Sequence, residues 1–254
     1  MKQTIFSKTT CRLTLAGASL LLGSSATSAQ ESKGLHAPTE IRLYIHSDLK
    51  DTDFVRPLVC ALKRVLVAPI STQDLRLPLG KELFTAPMQL DAAKLAVHFN
   101  QATIRDGTTG EFKYLFLPYN LRAAAGYSTF HATFAVPNLV GAVSTTSLDV
   151  RDPNLPQPQM SEIIGRRFYK VMIRSIAQSA GLRGEGCTLA FPYGLAALDQ
   201  KTSEFCPSDR AALVAASILK EKESEEGSDC FATSALEPIG RRARIAQSDY
   251  LASK

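Results

Sequence analysis

The sequence predicts an α/β layer protein. Short apolar, strand-like runs at residues 41–45 and 113–117 alternate with segments whose apolar residues recur at helical spacing. The longest of those helical patterns, over residues 161–180, ends at a glycine.

Taken in order, residues 41–45 (IRLYI) place aliphatic and aromatic side chains at alternate positions, as a strand does. Asp51 or Thr52 is the expected cap of a helix in which Phe54, Leu58, Leu62 and Val65 share one face. Residues 66–70 read as a second strand, with Pro69 placing it at an edge or an end. A helix is predicted over 89–99, with Leu90, Ala93 and Val97 on one side. Residues 113–117 (KYLFL), 129–136 and 139–143 read as strands. The helix over 161–180 takes Ser161 as its N-cap. Ile164, Phe168, Val171, Met172 and Ile176 form its apolar stripe, and Gly181 supplies the left-handed stop. A segment at 195–199 and a short helix from 208 to about 219 follow. Residues 220–228 (KEKESEEGS) carry charge with no apolar period, so they are expected to be solvated.

The first residues hold Lys2, Lys8 and Arg12, then an apolar run over 13–22, then Thr27-Ser28-Ala29. Basic, apolar and small residues in that order are the pattern of a secretory signal peptide, here cleaved after Ala29. The apolar run is half of the roughly 20 residues that a membrane span needs. Cys11 precedes that run, which argues against a lipoprotein. No later segment reads as a span, so the expected location is periplasmic or secreted. The division is therefore a signal peptide at 1–29, a flexible lead-in at 30–39, one domain at 40–219 and a mobile tail at 220–254. Three of the positive charges behind the formal +5 lie in the leader, which leaves the remainder near +2. So mild a balance, without a clustered basic face, gives no case for a nucleic-acid partner. Cys60, Cys187, Cys206 and Cys230 follow the leader. In an oxidising compartment disulfides are the default, and four cysteines allow three pairings.

Arg167-Phe168-Tyr169-Lys170 opens a stretch that runs without a gap to Gly181-Leu182. Cys187-Thr188-Leu189 and then the segment from Asp199 through Lys201 to Phe205-Cys206 follow it. Upstream lie Gln89-Leu90-Asp91-Ala92, Tyr119-Asn120-Leu121, and Val143-Ser144-Thr145 with Leu148. In this order and spacing, over residues 40–213, the chain resembles the archaemetzincins, zinc peptidases of the metzincin clan. The resemblance implies a mixed, twisted sheet packed with helices, with the helix at 161–180 in the place of the active-site helix. It also implies a catalytic zinc held by HExxHxxGxxH, in which two histidines one turn apart and a third after a glycine bind the metal beside a glutamate base.

The chain departs from that pattern where the chemistry lies. Arg174 stands at the first histidine, Ser175 at the glutamate, Gln178 at the second histidine and Gly184 nearest the third, while Leu189 replaces the methionine of the turn. A guanidinium has no lone pair for zinc. The family's structural zinc would keep only Cys187 and Cys206, with Asp209 in place of the last cysteine. The resemblance therefore implies a bond between Cys187 and Cys206, leaving Cys60 and Cys230 as a second pair. The expectation is a pseudopeptidase without catalytic residues, metal or cofactor and with a binding or structural role, its partner an envelope protein or an extended peptide held by strand addition. The alternative is a hydrolase with reassigned residues, using His131 and Glu185 with a metal. Ser175 as a nucleophile lacks a G-x-S-x-G elbow, and its ordinary reading is a helix serine bonded back to a carbonyl four residues earlier. Arg174 and Gln178 either fill the vacated pocket as a bonded pair or form a basic pocket for a carboxylate or phosphate. With His131 and Glu185 they define the expected cleft.

Overall fold

The computed structural model describes residues 34–49, 52, 54–104, 110–123, 126, 128–135, 139–150, 154–223 and 230–231. All of them belong to one compact unit, Lys33–Lys254. The leader expected at 1–29 and most of the tail lie outside the described residues.

Five strands form the main sheet: β1 (Glu40–His46), β2 (Ile70–Leu75), β5 (Glu111–Leu117), β8 (His131–Ala135) and β9 (Leu139–Ser144), in the order β2-β1-β5-β9-β8. The first four neighbours run parallel, with Ile41 opposite both Ile70 and Phe112 and Leu115 opposite Ala142. β8 is the exception, an antiparallel edge strand with His131 opposite Val143. Alternation along the central strands splits the core. Ile41, Leu43, Ile45, Phe112, Tyr114 and Phe116 face one layer, while Tyr44, Leu115, Leu117, Val140 and Ala142 face the other. β5 is buried along its whole length, as a central parallel strand covered on both faces must be.

The first layer holds α1 (Val55–Val65) and α3 (Gln157–Ser179). The Phe54 ring stacks on Phe168 at 4.4 Å and touches Phe116, tying α1, α3 and β5 together. The second layer holds α2 (Ala92–Thr103). A small sheet completes this side, built from β3 (Phe84–Ala86), β4 (Gln89–Asp91), β6 (Asn120–Arg122) and β7 (Ser128–Thr129). Two short helices, α4 (Leu195–Gln200) and α5 (Pro207–Ala215), follow α3.

Several boundaries differ from the sequence reading. α1 has no side-chain cap: Thr52 contributes its backbone carbonyl to the Val55 N–H instead. The second strand begins where it was expected to end, because the Pro69 carbonyl accepts from Ile41 N and pairing with β1 starts only at Ile70. The predicted helix at 89–99 starts three residues late. Gln89–Asp91 is a strand, and the Asp91 carboxylate caps α2 by accepting from the N–H groups of Ala93 and Lys94. Its buried face is Ala92, Leu95, Ala96 and Phe99, while Val97 is exposed. α3 begins at Gln157, so Ser161 is interior to the helix and not its cap. Pro158 fits the first turn, where its missing N–H costs nothing. The expected stripe on α3 is buried, and Gly181 follows with φ +101°. α5 stops at Ala215, and Leu219 bridges to Leu66.

Of the lead-in, residues 34–39 are fastened by hydrogen bonds from His36 N to Ala180 O and from Thr39 N to Gly110 O. Of the tail, Lys220 N bonds to Val65 O, and Phe231 is buried against Gly165, where an added Cβ would stand 2.4 Å from its ring.

Candidate functional site

Between its apolar residues α3 carries Arg167, Lys170, Arg174 and Gln178, three or four apart and therefore along one side of the helix. Each has work to do. Arg167 is buried and grips the Asp199 carboxylate through Nε and Nη2 at 2.7 and 2.6 Å, while Nη1 donates to Leu148 O and Asp149 O. Lys170 Nζ donates to Leu198 O and Asp199 O at 3.0 and 2.7 Å, at the carbonyl-rich end of α4. One turn on, Arg174 is 7% exposed. Its Nε donates to Leu189 O at 3.0 Å, its Nη1 lies 3.2 Å from His131 Nε2, and its guanidinium sits 5.4 Å from the centre of the Phe191 ring.

The contact with His131 fixes the state of that ring. A guanidinium only donates, so Nε2 must present its lone pair and the proton resides on Nδ1. The ring is 8% exposed, and burial, followed by the nearby charges of Arg174 and Lys201, lowers its pKa to about 3. It is neutral at physiological pH, and Nδ1 is buried with no hydrogen-bond partner among the described residues. Gln178, half-buried, lies close enough to oppose the shift of the ring without closing a bond to Nδ1. Lys201, at the end of α4, completes the group. Burial, then Arg174 and Lys170, pull its pKa down to about 7.

This fold, a largely parallel sheet with an antiparallel edge strand beside one long helix, has counterparts among solved structures. The archaemetzincin of Methanopyrus kandleri superposes with a TM-score of 0.52 and 16% identity, over 70% of this chain and 94% of that one. The fold is archaemetzincin-like. The archaemetzincin of Archaeoglobus fulgidus, solved with malonate, gives the same TM-score at 16% identity, over 67% of this chain and 99% of its own. A zinc-dependent peptidase of Methanocorpusculum labreanum gives 0.52 at 21%, over 68% and 99%. No family model matches the sequence, and no curated protein matches it.

On this archaemetzincin-like fold, three residues of the expected cleft come together: His131, Arg174 and Gln178. Glu185 is exposed in the loop after α3. Gly184 is in the same loop, where an added Cβ would meet the Leu189 side chain at 3.0 Å. Ser175 is fully buried, and its hydroxyl has no hydrogen-bond partner among the described residues, so the expected bond back along the helix is not made. Among the described residues no three His, Cys, Asp or Glu side chains converge as a metal would need. Lys201 and Phe191 were missed by the sequence reading. Lys201 belongs to the segment from Asp199 to Cys206 that carries the resemblance, but nothing in the spacing announces that α4 delivers it beside Arg174. Two disulfides are formed: Cys187 joins Cys206 with Cα atoms 5.4 Å apart, and Cys60 joins Cys230 at 5.8 Å. Gly186 lies so close that an added Cβ would stand 3.1 Å from Cys206 Sγ.

Proposed function

We propose that this chain is an exported pseudopeptidase, a non-catalytic protein that uses an archaemetzincin-like cleft to hold an extended peptide segment. The observation that carries the reading is the contact between Arg174 Nη1 and His131 Nε2. The lone pair that His131 would offer a metal is turned to a permanent cation, and a zinc ion there would face the guanidinium at close range. The residues do not fit a catalytic zinc: Arg174 and Gln178 stand one turn apart where the resemblance puts histidines, and Ser175 is sealed in the core, its hydroxyl without a hydrogen-bond partner among the described residues. The rival hydrolase would need Glu185 and His131 on one metal, and the neutral, arginine-bound ring argues against that.

Peptide binding asks only for backbone. The bond from Ser144 N to Phe130 O sets the phase of the β8–β9 ladder, so the backbone groups of His131, Thr133 and Ala135 point away from β9. No further strand covers that edge among the described residues. An extended chain can add there. The His131 carbonyl is already taken by the Thr129 hydroxyl, which leaves the positions further along for pairing. Incubating the protein with a library of unstructured peptides, with and without added zinc, tests the reading by mass spectrometry. Intact peptides retained by the protein and released by Thr133→Pro are expected. Zinc-dependent cleavage would overturn it.

A further inference from the structure

We infer that His131, Gln178 and Lys201, in the field of Arg174, form a binding site for a carboxylate. Two of the groups that meet here, His131 and Lys201, can only donate, and Gln178 can do either. His131 Nδ1–H is held in the donating tautomer by Arg174, is more than nine-tenths buried, and has no partner among the described residues. Such a donor is costly to leave unsatisfied, so an acceptor from outside is favoured. Lys201 supplies a half-buried ammonium whose neighbours are the cations Arg174 and Lys170, and no hydrogen bond or ion pair to it is formed among the described residues. Asp199, two positions earlier, is committed to Arg167 through both oxygens. Gln178, half-buried, lies beside the ring, and its amide can turn either its oxygen to the imidazole or its NH2 to a ligand. Gln178 and Lys201 are half-buried and Phe191 is exposed, so a ligand reaching the buried Nδ1 would enter from their side.

The chemistry selects a monoanion of two oxygens. One oxygen suits the imidazole N–H, and the other suits the ammonium, as a charge-assisted pair. Phosphate sites draw on helix N-termini and nests of backbone N–H groups. Here the neighbouring helix ends are the C-termini of α3, which stops at Ser179, and of α4, which stops at Gln200. Their negative poles oppose an anion, and a dianion more than a monoanion. The carboxylate has two sources, a small organic acid or the C-terminus of a peptide. The site stands whether or not β8 pairs with peptide.

Thermal unfolding and calorimetric titration with acetate, succinate and phosphate, each against sodium chloride at equal ionic strength, provide the test. The expected result is saturable binding of acetate or succinate with little response to phosphate, weakened about tenfold or more in Lys201→Met and restored in part in Lys201→Arg. His131→Asn, should it fold, weakens binding too. A peptide with a free C-terminus that binds more tightly than its amide assigns the carboxylate to a peptide; equal binding of the two, with acetate still saturable, assigns it to a small acid. Thr133→Pro separates this site from the peptide cleft, because acetate binding survives it. Carboxylates acting no differently from chloride, a preference for phosphate, or Lys201→Met titrating like the parent protein would overturn the inference.

Discussion

At the scale of single residues, the centre of the molecule is one contact, Arg174 on His131. It makes a titration prediction. His131 has a folded pKa near 3 against about 6.5 in the unfolded chain, so the unfolded chain takes up the proton first. The stability this ring contributes is complete above about pH 6.5 and is lost as the pH falls toward 3, with a slope of up to about 1.4 kcal/mol per pH unit. Denaturant unfolding across that window should show a flatter dependence in His131→Asn than in the parent. Lys201 behaves analogously at higher pH. Its folded pKa of about 7 lies below 10.5, so retaining the charge opposes folding at neutral pH. Lys201→Met should therefore raise the melting temperature near pH 7, with the gain shrinking toward pH 10.5, while it weakens the proposed carboxylate binding. A residue that costs stability where it stands is what a binding role leaves behind. The resemblance already put His131 in one cleft with Arg174 and Gln178, but the direct contact of the ring with the guanidinium and the arrival of Lys201 were not legible in the sequence. The partner of a guanidinium depends on which strand lies over it, and Lys201 is brought there by a six-residue helix.

At the scale of elements, α3 is the part read best, because five apolar residues at helical spacing and a glycine stop overdetermine it. Its start was misplaced by four residues: Ser161 has the chemistry of a cap, yet Pro156 and Pro158 already suit a first turn. The central strands were equally legible. β3, β4, β6 and β7 were not, since two or three residues carry no periodicity, although Asp91 before two alanines is a cap signal that could have separated β4 from α2. The pairing of Arg167 with Asp199 explains why two separated landmarks keep their spacing: α3 holds α4 through this carboxylate and through Lys170. Arg167→Met should cost about 3 kcal/mol, because it strands two backbone carbonyls as well as the carboxylate. Equilibrium unfolding in urea would measure it. Gly165→Leu should displace the Phe231 ring and detach the described end of the tail, seen as faster hydrogen exchange at residues 230–231.

At the scale of the whole molecule, the two disulfides close loops of different size. The sequence separations are 19 residues for Cys187–Cys206 and 170 for Cys60–Cys230. Chain entropy alone makes them worth about 3 and about 5 kcal/mol. Replacing Cys60 and Cys230 by alanine should therefore lower stability more than replacing Cys187 and Cys206, as read from denaturation midpoints. The order reverses only if the site around Gly186 depends on its own bridge for more than entropy. Both bonds are compatible with an oxidising compartment, as the proposed export would supply. Among the described residues no helix is long and apolar enough to cross a membrane.

The central claim is that an archaemetzincin-like fold here works without its zinc. Metal content after exposure to excess zinc and exhaustive dialysis tests it most directly. The account predicts well under one zinc retained per chain, and no change on His131→Ala. One zinc per chain, held through dialysis and lost in His131→Ala, would contradict it.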